Sequence, residues 1–148
     1  MKITYKGDYA LKTILDLSLH YNQGVITIHD LAKRADIPIK FLEQVLLELK
    51  QGGFVDSKRG INGGYFLSRS PSQIKLGEVI RFIDGPIEPL PCANRGTLYK
   101  GCEDIYKCVF KDIWTGVTDS ISQIVDNITF EDLVKKIKAK AKTVSYQI

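Results

Sequence analysis

Apolar residues recur along most of this chain at the spacing of α-helices, and strand-like alternation is confined to one short stretch. In residues 8–21 the apolar side chains cover most of a helix circumference, which predicts a first helix that is buried on more than one side. Asn22-Gln23-Gly24 ends this helix, because glycine readily adopts the left-handed conformation that terminates helices.

Two short helices joined by a tight turn are predicted next. Thr27 and Asp30 are spaced as in a capping box, so a helix begins there, and it ends before Pro38 because proline disfavours helical geometry in the preceding residue. The apolar residues of the following helix obey the i, i+3, i+4, i+7 rule: Leu42, Val45, Leu46 and Leu49. Two such helices separated by a three-residue turn predict a helix-turn-helix.

The pattern switches to alternation in residues 54–69. Two short runs flank Arg59-Gly60-Ile61-Asn62-Gly63-Gly64, whose glycines and asparagine allow the positive φ angles of a tight loop. The sequence therefore predicts a β-hairpin, which would form a wing after the helix-turn-helix. A further helix is expected around residues 76–83, and residues 86–101 show no periodicity, which indicates an irregular loop.

A long helix is predicted from about Glu103, with an apolar stripe over about five turns. The stripe consists of Val109, Ile113, Trp114, Val117, Ile121, Ile124, Val125 and Ile128. Because the commonest partner for such a stripe is the same helix of a second subunit, the pattern predicts a homodimer. Thr129 to Asp132 resembles another helix cap, and it begins a last, lysine-rich helix.

Composition narrows the class of protein. The 148 residues suit one compact domain or a small domain with an oligomerisation element, and 44% hydrophobic residues suffice for a core. The sequence shows neither a run of 18 apolar residues nor a signal-peptide pattern, so we expect a cytoplasmic protein without membrane contact. The net charge of +4 permits nucleic-acid binding without establishing it.

Positive charge is concentrated in the predicted helix-turn-helix and wing. Residues 33–69 contain seven basic and four acidic residues, which gives +3 of the total +4. A helix-turn-helix places the first residues of its second helix at base edges, while basic side chains around it contact phosphates. The candidate DNA-contact residues are Lys40, Phe41, Glu43 and Gln44 on that helix, and Arg59 and Gly63 in the wing loop.

These residue types have known partners in DNA. Lys40 can donate to guanine, Glu43 can accept from a cytosine amino group, and Phe41 can contact a thymine methyl group. Arg59 suits a minor-groove or phosphate contact, and the wing glycines would let the backbone approach DNA. Two alternatives stay open: Phe41 packs under the preceding helix, or the winged helix binds another protein instead of DNA.

Three cysteines, Cys92, Cys102 and Cys108, are clustered with nine and five residues between them. In a reducing compartment, clustered thiols serve as metal ligands or redox sensors more often than as disulfides. Thiolates hold iron–sulfur clusters, and this spacing lacks the tight pairs of a zinc ribbon. Three unrelated thiols are the alternative. No base is evident beside a cysteine and no hydrolase or phosphate-binding motif is present, so we do not expect an enzyme.

Several motifs together resemble one family. They are MKITYKGDYAL at residues 1–11, IP at 37–38, FLEQ at 41–44, RGINGGY at 59–65, LGEVI at 76–80, Trp114 and NIT at 127–129. Over nearly its whole length the chain resembles the IscR, NsrR and CymR type winged-helix repressors of bacteria. The resemblance implies a homodimer that binds palindromic operators. In cluster-binding members, three cysteines sense iron–sulfur status, nitric oxide or redox stress.

The resemblance also assigns residues. It implies that the three cysteines hold a [2Fe-2S] or [4Fe-4S] cluster and that Lys40, Phe41, Glu43 and Arg59 occupy DNA-contact positions. Lys111 stands where IscR-like members have a ligating histidine. Asp8 stands where NsrR-like members have an aspartate, and would complete the site from the other subunit. The alternative role of Asp8 is to cap the first helix.

The expected fold is mainly α with a small β-hairpin wing, a winged helix-turn-helix with a long dimerisation helix. We expect a DNA-binding head in residues 1–85, a cysteine-containing sensor loop in 86–108, and dimerisation and C-terminal helices in 109–148. The expected function is that of a DNA-binding transcriptional repressor. Two alternatives stay open: a cluster-free regulator controlled by thiol oxidation or a partner enzyme, and a winged-helix adaptor that does not bind DNA.

Overall fold

The structure, a computed structural model, describes residues 1–93 and 105–145, with side chains from residue 109 onward in the second range. Its helices and strands are α1 Tyr5–Leu19, α2 Ile28–Ala35, α3 Ile39–Gln51, β1 Val55–Lys58, β2 Gly64–Leu67, α4 Leu76–Asp84, α5 Ile105–Val125 and α6 Phe130–Ser145. Single 3₁₀ turns are formed by Pro71–Gln73 and Pro91–Ala93. The predicted winged helix-turn-helix, mainly α with one hairpin, is confirmed.

The helix α1 begins earlier than its apolar pattern predicts, because Thr4 caps it. The hydroxyl of Thr4 accepts a hydrogen bond from the N–H of Gly7 at 3.0 Å. Asp8 lies in the first turn instead, where its carboxylate pairs with the ammonium group of Lys12 at 2.8 Å. The alternative role of Asp8 as the helix cap is therefore wrong.

The two helices of the helix-turn-helix form as the sequence predicts. The hydroxyl of Thr27 accepts from the N–H of Asp30 at 3.2 Å and so caps α2. This helix ends when Asp36 adopts a left-handed conformation with a φ of 54°, and Pro38 then precedes the first turn of α3. The guanidinium of Arg34 holds both carboxylate oxygens of Asp16 at 2.9 Å, which joins α2 to α1.

The wing is an antiparallel hairpin in which Val55 pairs with Leu67 and Lys58 pairs with Gly64. Ile26 adds a single bridge to Tyr65, so the wing is also attached to the segment before α2. Val55 and Leu67 are buried and fix the face of the hairpin that packs on the head. The predicted hairpin is confirmed, with each strand slightly shorter than its predicted run.

One hydrophobic core joins the winged helix to the start of α6. It contains Ala10, Ile14 and Leu17 from α1, the four predicted apolar residues of α3, and Phe130, which is fully buried. The cap predicted at Thr129 is confirmed, because its hydroxyl accepts from the N–H of Asp132 at 3.2 Å while the Asp132 carboxylate accepts from the N–H of Thr129 at 2.9 Å. The beginning of α6 is thus packed into the head, and the proposed three-part division of the chain stays a prediction.

Candidate nucleic-acid interface and cysteine loop

The helix α3 buries one face and presents the other to solvent. Its apolar residues Leu42, Val45, Leu46 and Leu49 are at most 1% exposed, which fixes the rotation of the helix. The candidate DNA-contact residues Lys40, Phe41, Glu43 and Gln44 are all exposed as a consequence. The structure therefore places these four side chains on the accessible side of α3, at its N-terminal half.

Phe41 contacts α1. Its ring centroid lies 6.2 Å from that of Tyr9, and Tyr9 lies 6.4 Å from Tyr5. Phe41 nevertheless remains 55% exposed and Tyr5 84% exposed. The two tyrosines were not identified from the sequence, although their i, i+4 spacing on a helix indicates a shared face.

The basic residues of the head divide into paired and unpaired side chains. Three of the seven in residues 33–69 are paired: Arg34 with Asp16, Lys50 with Asp56 and Arg69 with Glu78. The other four, Lys33, Lys40, Lys58 and Arg59, are exposed and form no ion pair within the described ranges. Their charge is therefore available to an anionic partner such as the phosphate backbone of DNA.

The wing loop depends on its glycines for internal packing. Gly60 has a φ of 113°, and among residues 59–64 it alone adopts the left-handed region. A Cβ at Gly63 would collide with the carbonyl oxygen of Lys58 and lie 2.8 Å from that of Gly60. A Cβ at Gly64 would lie 2.5 Å from the carbonyl oxygen of Ile26. Both glycines are thus required by the hairpin itself, and Arg59 is carried on its exposed edge.

The cysteine loop is partly described. Cys92 is a free, half-buried thiol in the 3₁₀ turn Pro91–Ala93, and this turn packs against α5. Cys108 is in the first turns of α5, but its side chain lies outside the described residues, as does all of Cys102. Within the described ranges, no three His, Cys, Asp or Glu side chains are grouped to hold a metal ion. Asp8 is half-exposed beside Lys12 and belongs to no such group of described side chains.

The predicted stripe on α5 is divided between two environments. Ile121 and Val125 pack against Ile80 and Ile87, which closes a small second cluster beside the head. The large apolar side chains of α5 with more than a third of their surface exposed are Val109, Phe110, Ile113, Val117 and Ile124, of which Phe110 is not part of the predicted stripe. We call these five residues the α5 apolar face.

Comparison with known proteins identifies the chain. Residues 3–136 match the Rrf2 family, which is described as an iron-dependent transcriptional regulator. The chain belongs to the Rrf2 family. The expected resemblance is thereby confirmed at the level of family and fold.

Individual Rrf2 relatives agree with this assignment. An HTH-type transcriptional regulator of Rhodobacter capsulatus, named rrf2-like, is 37% identical over 95% of this chain and 97% of its own length. The HTH-type transcriptional regulator IscR of Pectobacterium carotovorum is 34% identical over 90% of this chain and 79% of its own. The structure of CymR, titled the global cysteine regulator of B. subtilis, superposes with a TM-score of 0.77 at 29% identity, covering 92% of this chain and 98% of that one.

These relatives fix the general activity. The Rrf2 chain is a transcriptional regulator that acts on DNA, and it is not an enzyme, as expected from the absence of catalytic motifs. In the described ranges, no helix combines the length and apolar character that a membrane span requires.

Proposed function

We propose that this Rrf2-family regulator is a cytoplasmic homodimer that represses transcription from palindromic operators, and that an iron–sulfur cluster in its cysteine loop reports redox, nitric oxide or iron–sulfur status. The observation that carries the DNA-binding part is the exposed face of α3, together with four basic side chains of the head that have no ion pair within the described ranges. The cysteines and the α5 apolar face support the other two parts.

The DNA contacts follow from the accessible side of α3 and from the wing. Lys40, Phe41, Glu43 and Gln44 would read base edges in the major groove, since they lie in the N-terminal half of the second helix of the helix-turn-helix. Arg59, exposed in the wing loop, would contact the minor groove or a phosphate. Gly63 would contribute its backbone, because the hairpin leaves no room for a side chain there.

Dimerisation would cover the α5 apolar face. Monomeric proteins seldom expose such a contiguous row of large apolar side chains along one helix. A second copy of α5 offers the same apolar face, so an isologous pairing satisfies both copies at once. Two heads held in this way could read two half-sites about 34 Å apart.

The donor chemistry of the loop fits an iron–sulfur cluster. Cys92, Cys102 and Cys108 would supply thiolates, and Asp8 of a second subunit would supply an oxygen ligand. The Cys92 thiol has no partner among the described residues, and its turn packs on the helix that carries Cys108. A bound cluster would add a centre that oxidants or nitric oxide modify readily.

Anaerobic purification with iron and sulfide analysis tests this proposal. We expect a brown protein with iron and acid-labile sulfide, and Cys92→Ala should lose both while it retains the helical circular dichroism of the wild type. Asp8→Asn should change the absorption spectrum, whereas Asp30→Asn in the first turn of α2 should not. A colourless wild type free of iron would contradict the cluster, and failure to shift any duplex would contradict the DNA-binding part.

A cluster-free regulator is the second candidate, and two observations favour it. Lys111 occupies the position of the histidine ligand implied by the IscR resemblance, and the chain superposes well on CymR. In this case a thiol would be oxidised directly or a partner enzyme would bind the regulator. An iron-free protein whose DNA affinity changes on thiol oxidation, and no longer changes in Cys92→Ser, would select this candidate.

A further inference from the structure

A polar joint connects α4 of the head to the C-terminal end of α5. The guanidinium of Arg81 donates to both carboxylate oxygens of Asp126, from Nη1 to Oδ1 and from Nη2 to Oδ2 at 3.0 Å. Nη2 also donates to the hydroxyl of Ser122 at 3.1 Å. Arg81 of the head thus forms hydrogen bonds with two residues, Ser122 and Asp126, that are one turn apart at the end of the long helix.

The backbone packs closely around this joint. A Cβ at Gly77 would collide with the Asp126 carboxylate and lie 2.9 Å from Val125 Cγ2, so α4 approaches α5 as nearly as glycine permits. The N–H of Leu76 donates to the carbonyl oxygen of Ile128 at 2.9 Å, immediately after α5 ends. The direction in which α5 leaves the head is therefore set here.

The Arg81–Asp126 pair fixes the orientation of α5 relative to the head, which the neighbouring apolar contacts do not. A bidentate guanidinium–carboxylate pair has a fixed planar geometry, whereas apolar contact is non-directional. Ile80, Ile87 and Val125 would keep α5 attached to the head without the pair. Hydrogen bonding to Asp126 raises the pKa of Arg81, and the same bonds lower the pKa of Asp126, so both groups remain charged at neutral pH.

The length of α5 converts a small change of angle into a large displacement. Its 21 residues span about 31 Å, and the α5 apolar face extends to Val109 near its far end. A rotation of about 10° at the joint moves a point 20 Å away by roughly 3.5 Å, which is about the rise of one base pair. The angle at the joint would thus determine how far apart two heads of a dimer lie.

We propose that Arg81 and Asp126 are positioning residues that set the distance and angle between the two heads, and thereby the spacing of operator half-sites that the regulator accepts. This inference rests on the proposed function, because it requires a dimer through α5 and a two-part operator. Neither residue contacts DNA in this arrangement; each acts through the orientation of α5.

Binding to duplexes of varied spacing tests the inference. Half-sites are first selected from random duplexes with the wild-type protein and are then joined by spacers that differ by one base pair. Each added pair rotates the second half-site by about 34° and moves it by about 3.4 Å. We expect the wild type to prefer its best spacing by about tenfold, and Asp126→Asn to reduce this preference to about twofold while its affinity for a single half-site is unchanged.

Matched variants separate this role from a general loss of stability. Glu78→Gln removes a similarly exposed ion pair, with Arg69 at 2.8 Å, that lies within the head, so it should keep the wild-type spacing preference. Arg81→Lys retains the charge without the planar fork and should give an intermediate preference. Circular dichroism and sedimentation verify that each variant is folded and dimeric.

Three results would overturn the inference. One is a wild-type spacing preference in both Asp126→Asn and Arg81→Lys. Another is a loss of affinity of Asp126→Asn for a single half-site that is as large as its loss for the two-part operator, because this would show that the head itself is damaged. A wild type that binds no duplex at all would instead refute the proposed function, and the inference with it.

Discussion

Replacement of Gly7 by alanine should destabilise the protein, although alanine is the better helix former. Asp84, the last residue of α4, accepts hydrogen bonds from the N–H of Thr4 at 3.1 Å and from its hydroxyl. A Cβ at Gly7 would collide with the same carboxylate and lie 2.9 Å from its Cγ. The Asp84 carboxylate is held by Thr4, so it must break its hydrogen bonds with Thr4 to accommodate the new Cβ at residue 7.

The expected magnitude follows from the bonds that are lost. A hydrogen bond to a charged group contributes about 1.5–3 kcal/mol, and the lower end applies here because Thr4 is exposed. Loss of both bonds therefore costs about 3 kcal/mol. Replacing glycine by alanine inside a helix stabilises the helix by about 1 kcal/mol. The net loss for Gly7→Ala is about 2 kcal/mol.

Urea denaturation of four proteins at one protomer concentration measures this effect: the wild type, Gly7→Ala, Asp84→Ala and the double variant. With Asp84 already truncated, the obstacle is gone, so Gly7→Ala should be neutral or stabilise the protein by about 1 kcal/mol. The destabilisation by Gly7→Ala should thus disappear or change sign in the Asp84→Ala background. A Gly7→Ala protein as stable as the wild type, or equally destabilised in both backgrounds, would refute the reasoning.

Three further predictions concern dimerisation, DNA binding and acid stability. Ile113→Glu places a charge on the α5 apolar face and should convert the dimer to a monomer in sedimentation experiments, whereas Asp112→Asn beside it should not. Lys58→Ala, at an exposed lysine of the wing without an ion pair in the described ranges, should reduce the slope of log affinity against log salt by about one, while Lys138→Ala in the exposed part of α6 should leave it unchanged. The N–H of Thr129 lowers the pKa of Asp132 below its usual 3.8, so this group stabilises the fold above pH 3.8 and loses its contribution as the pH falls through the lowered value. Asp132→Asn should therefore remove part of the fall in stability with acid, and an unchanged acid profile would contradict the cap.

The elements that the sequence predicts correctly are those with a local physical cause. The spacing of apolar residues determines which face of α3 is buried, and it therefore also identifies the exposed residues such as Lys40 and Glu43. The caps at Thr27 and Thr129 depend on partners three residues away, so they can also be predicted from the sequence. The apolar pattern predicts too late a start for α1, because the cap at Thr4 precedes that pattern.

Features that depend on tertiary contacts were not predictable in this way. Arg81 and Asp126 are 45 residues apart, and Thr4 and Asp84 are 80 apart, so no local pattern relates them. Periodicity predicts a uniform apolar stripe on α5, because it does not reveal that Ile121 is covered by α4 and its following loop. The role of Gly63 inside the hairpin likewise depends on the position of the Lys58 carbonyl group.

Under the proposed function, two sets of described contacts connect the neighbourhood of Cys92 to the head. One runs back through Asp84 to α1, and from Tyr9 to Phe41; the other runs through the turn Pro91–Ala93 to α5. The first route runs along α1, whose Ala10 and Ile14 are fully buried in the core, and a close-packed core resists small deformations. The second meets the head at a partly exposed polar joint. Under the proposed function, we therefore expect a signal at Cys92 to reorient each head as a rigid body about Arg81 and Asp126, and to leave the shape of α3 unchanged.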